Sequence, residues 1–371
     1  MLSTFFGMEA RISASGLEDV VAATTRLSDV NGEEGKLVLA GRPVEDVAGR
    51  ITFEEMFHLL WYGTEPSLDQ RSRLTRLLGE AREAAFERLS DLGDALAMPD
   101  AMDALRAAVG HVTVPRSSAF EEAIAIAGAT AVFAAAWARQ KSPIRPDASL
   151  SHAADYLRMA TGAEPSPAKV AALDAYLVTV VDHGMNASTF AARVVASTES
   201  DTVSAIVAAL GALKGRLHGG APGPVLDMLD AIENVKNARA WLEAALARGE
   251  RIMGMGHRVY RVRDPRAFVL ERAVAKLESN ESGERLKLAR AVESEAEALL
   301  AARHPERALR ANVEFYTAVL LEAIGLPRTL FTPTFALGRV AGWCAHVEEQ
   351  RRVGRLIRPK SRFVDVAPQR V

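Results

Sequence analysis

The sequence predicts an almost entirely helical protein, and three observations carry that prediction. Apolar residues recur three and four positions apart through long segments rich in Ala, Leu, Glu and Arg. Sustained polar–apolar alternation, the mark of a half-buried strand, is nearly absent. Helix-start signals recur wherever a side chain can accept a free N–H group of a first turn.

In chain order, the first departure from helix is residues 35–41, read as a small strand pair. Thr52 with Glu55, and Ser67 with Gln70, have capping-box spacing ahead of apolar-periodic segments. Ser166 before Pro167 opens a helix over 167–181, because proline at the first helical position gives up no internal hydrogen bond. Residues 187–213 are rich in small side chains on several faces and break near 198–201, which predicts two closely packed central helices. A long helix over 285–303 follows a solvated turn at 278–284. Thr332 before Pro333 repeats the earlier start ahead of a helix over 334–350.

With 371 residues the chain is long enough for two domains, and 49% hydrophobic with 25% charged residues is the balance of a compact protein. Lys plus Arg number 45 against 47 Asp plus Glu, so nothing in the net charge argues for nucleic acid or an anionic membrane as partner. A lone cysteine, Cys344, excludes an intrachain disulfide and a cysteine-built metal site, and an intracellular, cytoplasmic protein is expected. The apolar stretches carry charges at intervals that predict no transmembrane helix.

Glycine, asparagine and proline cluster at 181–186, 214–224 and 251–266, and each cluster carries a histidine: His183, His218 and His257. An imidazole beside a glycine-rich turn can reach a ligand while backbone approaches closely. His58, His111, His152, His304 and His346 read as packing or turn residues. The stretch GMGHRVYRVRDPR, 254–266, adds arginines whose planar forks suit carboxylates or phosphates. Neither this stretch nor KGRLHGG at 214–220 fits a P-loop, no HExxH or carboxylate-rich loop offers a metal site, and no G-x-S-x-G elbow offers a serine nucleophile. The chemistry left is His and Glu acid–base work beside arginines that hold an anion.

Four dispersed blocks resemble the citrate synthases, in particular the shorter bacterial form and its methylcitrate synthase relatives: DHGMNAST at 182–189, LKGRLHGGAPGPV at 213–225, MGHRVYRVRDPR at 255–266 and NVEFYTAVLL at 312–321. The likeness runs from GLEDVV at residue 16 to IRPKS at 357–361. It implies an all-α citrate synthase fold: a large domain of residues 1–217 and 326–371 around a smaller mobile domain of residues 218–325. It also implies a homodimer acting on oxaloacetate and acetyl-CoA, with coenzyme A as part of the substrate, no tightly bound cofactor and no metal.

By the same resemblance His218 stabilises the enolate of the thioester, His257 polarises the 2-oxo group, and Glu314 stands where the family places the aspartate base. His183, Arg266 and Arg339 match oxaloacetate-binding residues, and Arg358 matches an arginine contributed across the dimer interface. Lys214, Gly215, Gly219 and Gly220 match a coenzyme A-lining loop, with Arg307 and Arg310 near its phosphates. Cys344 is expected to be buried and inert. Glutamate keeps the charge of aspartate but adds a methylene, so two alternatives accompany the citrate synthase reading: a 2-methylcitrate synthase using propionyl-CoA, or a weakly catalytic paralogue that binds acyl-CoA or oxaloacetate.

Overall fold

A computed structural model describes residues 17, 20–114, 118–140, 142–219, 222–257, 259–278, 283–361 and 363. Gly220, and residues 279–282 of the expected turn, lie outside the described residues. Three short strands come first: β1 (Ser28–Asn31), β2 (Lys36–Leu39) and β3 (Arg42–Pro43). They form one antiparallel sheet in that order, with Ser28 opposite Leu39 and Val38 opposite Pro43. The expected strand pair is therefore a three-stranded sheet. Its last strand is two residues long and ends on a proline that has no N–H to donate, which leaves no periodic signal in the sequence.

Helices account for the rest of the regular structure. They are α1 (Val44–Val47), α2 (Phe53–Tyr62), α3 (Leu68–Glu87), α4 (Ala101–Val109), α5 (Ala119–Arg139), α6 (His152–Thr161), α7 (Pro167–Val180), α8 (Ala187–Ala196) and α9 (Thr202–Leu213). After them come α10 (Pro222–Ile232), α11 (Ala238–Ala247), α12 (Pro265–Glu278), α13 (Glu284–Arg303), α14 (Val313–Ala323) and α15 (Phe331–Val353).

Both expected capping boxes form, and Ser118 with Glu121 makes a third on α5. Such a cap contributes about 1 kcal/mol. Ser166 caps α7 through the Lys169 N–H, with Pro167 in its first turn. Thr332 does not cap α15. A 3₁₀ turn, Arg328–Leu330, runs straight into that helix, so the chain is already coiled when it reaches Thr332, whose hydroxyl donates instead to the Gly219 carbonyl at 2.9 Å.

Packing explains what these helices position. α5 packs against α3, α4, α6 and α15; it is long and apolar enough to cross a bilayer, yet most of its surface is buried by these neighbours. α8 and α9 pack closely on each other and on α15, as the small-residue pattern predicts. α15 is buried along most of its length, Cys344 included, and burial pushes that thiol well above its usual range. α12, α13 and α14 contact one another, and α12 also reaches across to α7. α7 and α12 thus pack together, and the His183 and His257 loops, which follow the first and precede the second, meet each other.

Candidate active site

Buried groups tie the loop after α7 in place. Asp182 Oδ2 accepts from Ser28 Oγ at 2.6 Å and lies 3.0 Å from His346 Nε2. The other His346 nitrogen faces Arg193 at 2.7 Å, and because arginine only donates, His346 must carry its proton on Nε2 and give it to Asp182. This anchors His183, whose Nε2 lies 3.1 Å from the hydroxyl of Tyr260 and whose ring meets that of His257 edge-on, centroids 5.6 Å apart. Burial, then the charge of Arg266, holds His183 well below the usual imidazole range.

His257 sits in a loop whose geometry requires glycine. Gly254 has φ +75°, and a Cβ there would come within 2.8 Å of the Phe315 ring. Nδ1 of His257 accepts two backbone N–H groups, from Val259 at 3.0 Å and Tyr260 at 3.1 Å. The neutral ring must then be protonated at Nε2. Nε2 lies 3.3 Å from Arg266 Nη2, which places the imidazole directly beside the guanidinium. Burial and the adjacent Arg266 lower His257 to about 4, which keeps it neutral.

Arg266 is aimed by Asp264. Its Nε and Nη2 donate to the two Asp264 oxygens at 3.0 and 2.8 Å, a bidentate fork with both partners almost wholly buried. Asp264 also accepts the Val313 N–H at 3.2 Å, so the α12 start is tied to the α14 start. Arg339 arrives from α15 with Nε donating to the Val180 carbonyl, stacked 4.8 Å over the Phe335 ring, and with Nη1 partnerless. Burial brings it down to about 10 although Asp182 pulls the other way.

Glu314 stands in the first turn of α14 below its cap, Asn312, whose Oδ1 takes the Glu314 N–H at 3.0 Å. Its Oε2 is buried without a protein partner. Burial pushes its pKa up to about 8, against the opposing pull of Arg266. His218 follows the tight turn after α9. A side chain at Gly219 would meet the Leu213 carbonyl at 2.7 Å, which keeps that position glycine. Its Nε2 lies 2.8 Å from Ser188 Oγ, which also takes the Trp343 indole N–H at 3.1 Å, and its ring meets Phe335 edge-on. Burial, then Arg339, lowers His218 to about 4.

The structure therefore brings His183, His257, Arg266 and Tyr260 into direct contact, with Glu314, His218 and Arg339 close enough for their charges to act on one another. It does not bring every expected residue there. Lys214 pairs with Asp100 and Asp103 of α4, and Arg310 with Glu297. Arg307 and Arg358 are exposed and join no described residue of the cluster. Asp264, Tyr260, Ser188 and Asn312 were not singled out as site residues. Asn312 had a signal, a cap residue before an apolar run; Tyr260 had none beyond its place three residues after His257.

Comparisons with known proteins agree with this assembly. The family profile described as citrate synthase, C-terminal domain, matches residues 16–360. A putative citrate synthase 2 of Mycobacterium tuberculosis (strain H37Rv) is 37% identical over 95% of this chain and 93% of its own length. The citrate synthase of Haloferax volcanii is 37% identical over 94% of each, and a 2-methylcitrate synthase of Mycobacterium tuberculosis is 35% identical over 94% of this chain and 89% of its own. Among solved structures, citrate synthase from Thermotoga maritima superposes with TM-score 0.82 at 35% identity, covering 96% of both chains. The ternary complex of Thermoplasma acidophilum citrate synthase with carboxymethyl coenzyme A and oxaloacetate gives 0.83 at 30%, covering 96% of this chain and 97% of that one.

Fold and comparisons together define an all-α acyltransferase of the carbon–carbon condensing class. The chain belongs to the citrate synthase family.

Proposed function

We propose that the protein condenses acetyl-CoA with oxaloacetate and hydrolyses the resulting citryl-CoA to citrate and CoA. The observation that carries this reading is the buried cluster itself: a neutral His257 in contact with Arg266, whose charge acts in turn on the buried Glu314. An imidazole beside an arginine suits the 2-oxo and carboxylate oxygens of a 2-oxoacid, and a buried carboxylate of raised pKa suits a base.

Glu314 takes the α-proton of the thioester. His218 stabilises the oxygen that becomes anionic; Ser188 gives its hydroxyl proton to Asn186 Oδ1 at 2.7 Å and so accepts from His218 Nε2, and donation from Nδ1 requires that proton to turn toward Nε2 when substrate binds. The new carbon nucleophile attacks the carbonyl polarised by His257, while His183, Arg266 and Arg339 hold the substrate carboxylates. Water then cleaves the thioester. The solved relative bound to oxaloacetate and carboxymethyl coenzyme A supports both substrates. In this reading the loop of Lys214, Gly215 and Gly219 lines coenzyme A, with Arg307 and Arg310 near its phosphates. Residues 1–217 with 326–371, and residues 218–325, form two domains that close on the substrates. The exposed Arg358 completes the site of a second copy in a cytoplasmic homodimer.

Release of CoA from acetyl-CoA with oxaloacetate tests the proposal. The rate is expected to rise with pH until Glu314 ionises near 8, and E314Q should lower it by about 1,000-fold or more. Absence of CoA release between about pH 6 and 9, with both acetyl-CoA and propionyl-CoA, sinks the reading. Faster turnover of propionyl-CoA in the same preparation moves the assignment to 2-methylcitrate synthesis, which the 35% identical relative favours. A gain in E314D would mark a compromised base, and a loss would mark a site rebuilt around glutamate.

A further inference from the structure

Nine buried side-chain polar atoms among the described residues have no hydrogen-bond partner; one is Glu314 Oε2 of the base, and three more, Thr317 Oγ1, Tyr176 Oη and Arg339 Nη1, belong to residues near it. Such atoms are costly to leave unpaired, so their concentration at one place needs a cause. Thr317 lies three residues after Glu314 on α14, hence on the same helix face. Tyr176 comes from α7, which packs on α14. Its hydroxyl is pushed far up by burial and then by the charge of Glu314.

A second tyrosine–threonine pair in the same bundle shows what a purely structural arrangement looks like. Tyr156 Oη lies 2.8 Å from Thr334 Oγ1, and Thr334 donates its own proton to the Leu330 carbonyl at 2.7 Å. Tyr156 must then be the donor, and every proton is used. Thr317 makes no such bond back along its helix, and its hydroxyl faces that of Tyr176 instead. The pair then has one hydroxyl proton left for an acceptor, and Glu314, once ionised, is acceptor only.

We infer that Tyr176 and Thr317 are positioning residues for Glu314, donating to its Oε2 through a shared ordered water so that the longer glutamate arm is held as a base. A bridging water needs two to four polar partners, and these three side chains provide them. The extra methylene then has a use: it carries the carboxylate back toward a hydroxyl pair on two helices. This assignment rests on the role given to Glu314 under the proposed function.

The test is a ¹³C-carboxyl NMR titration of Glu314, assigned with E314Q, in the wild type and in T317V, T317S and Y176F, alongside pH profiles of kcat. T317V and Y176F are expected to raise the Glu314 midpoint by about one unit and cut kcat about tenfold at pH 7, with KM for oxaloacetate changed less than about twofold. T317S, which restores the hydroxyl, should restore both. In an E314D background T317V should have no effect, because the shorter arm does not reach the pair. A Glu314 titration unchanged by T317V overturns the inference, and this nearly isosteric change decides the matter even if Y176F fails to fold. Because the titration needs no turnover, a shifted midpoint in an enzyme that never releases CoA upholds this pairing while removing the citrate synthase reading.

Discussion

Arg82 and Arg339 are buried to the same degree, 0% and 1% exposed, yet the protein treats them in opposite ways. Arg82 on α3 spends its whole guanidinium on the protein: Nε on Asp155 at 2.7 Å, Nη1 on His152 at 3.2 Å, and Nη2 on the carbonyls of Leu150 and Asp147 at 2.9 and 3.3 Å. Among the described residues Arg339 has one carbonyl, no carboxylate within ion-pair distance, and a partnerless Nη1. A buried cation is tolerated when it is saturated. One left short of partners is tuned for a charge that arrives from outside. Burial depth alone does not separate a structural arginine from a binding one; the count of unused donors does.

Removing the saturated member should cost most. Arg82→Ala leaves the buried Asp155 to Arg158 alone and strips the partner from His152, and is expected to lose about 3–5 kcal/mol in urea unfolding. A loss under about 1 kcal/mol would break the comparison at its structural end.

Arg339→Gln should do the reverse. The unfolding free energy is expected to stay within about 1 kcal/mol of wild type, since Arg339 contributes an unmet charge rather than a finished network. At the same time kcat/KM for oxaloacetate should fall about 100-fold through loss of a desolvated carboxylate contact. Parallel losses of stability and activity would show that Arg339 belongs with Arg82 after all.

The smallest effect concerns the histidines beside Arg339 and Arg266. His218 and His257 are held near 4 in the fold, below the usual 6.5, so each adds stability that is present above pH 6.5 and lost as pH falls through 4. Replacing His257 with Gln should flatten that limb, by about 1–2 kcal/mol at pH 5. Glu314, raised to about 8, works with the opposite sign: its contribution is fullest below its unfolded value and fades as pH rises through 8. Urea titrations of H257Q and E314Q across this range should therefore change slope in opposite directions. Slopes of the same sign would mean that one of these groups does not keep its neutral form in the fold.

Much of this was legible in the sequence, and what was not has physical reasons. Capping boxes at Thr52 and Ser67 and the small-residue central helices are local signals, and they survive folding. The histidine loops were legible because glycine there is demanded by close approaches at Gly219 and Gly254. Asp264 was visible only as a neighbour in sequence. Its fork to Arg266 and its bond to Val313 depend on bringing α12 and α14 together, which no local pattern encodes. Thr332 shows the converse: a sound start signal, overridden because a 3₁₀ turn had already begun the helix.

The stitching of the His257 loop to the start of α14 has one more consequence. Gly256 N–H reaches the Arg310 carbonyl at 2.7 Å, Asn312 N–H the Gly254 carbonyl at 2.9 Å, and Asn312 Nδ2 the Gly256 carbonyl at 2.8 Å. Under the proposed function, the group that activates the electrophile and the group that creates the nucleophile thus share one mount. His183 and Arg339 are carried separately, on the loop after α7 and on α15. In that reading, motion between the two mounts would change how tightly an acid is gripped, but not the alignment of proton removal with carbonyl activation. Capture and chemistry can then be tuned by different mutations, and an enzyme built this way can drift in substrate affinity without losing the geometry of its reaction.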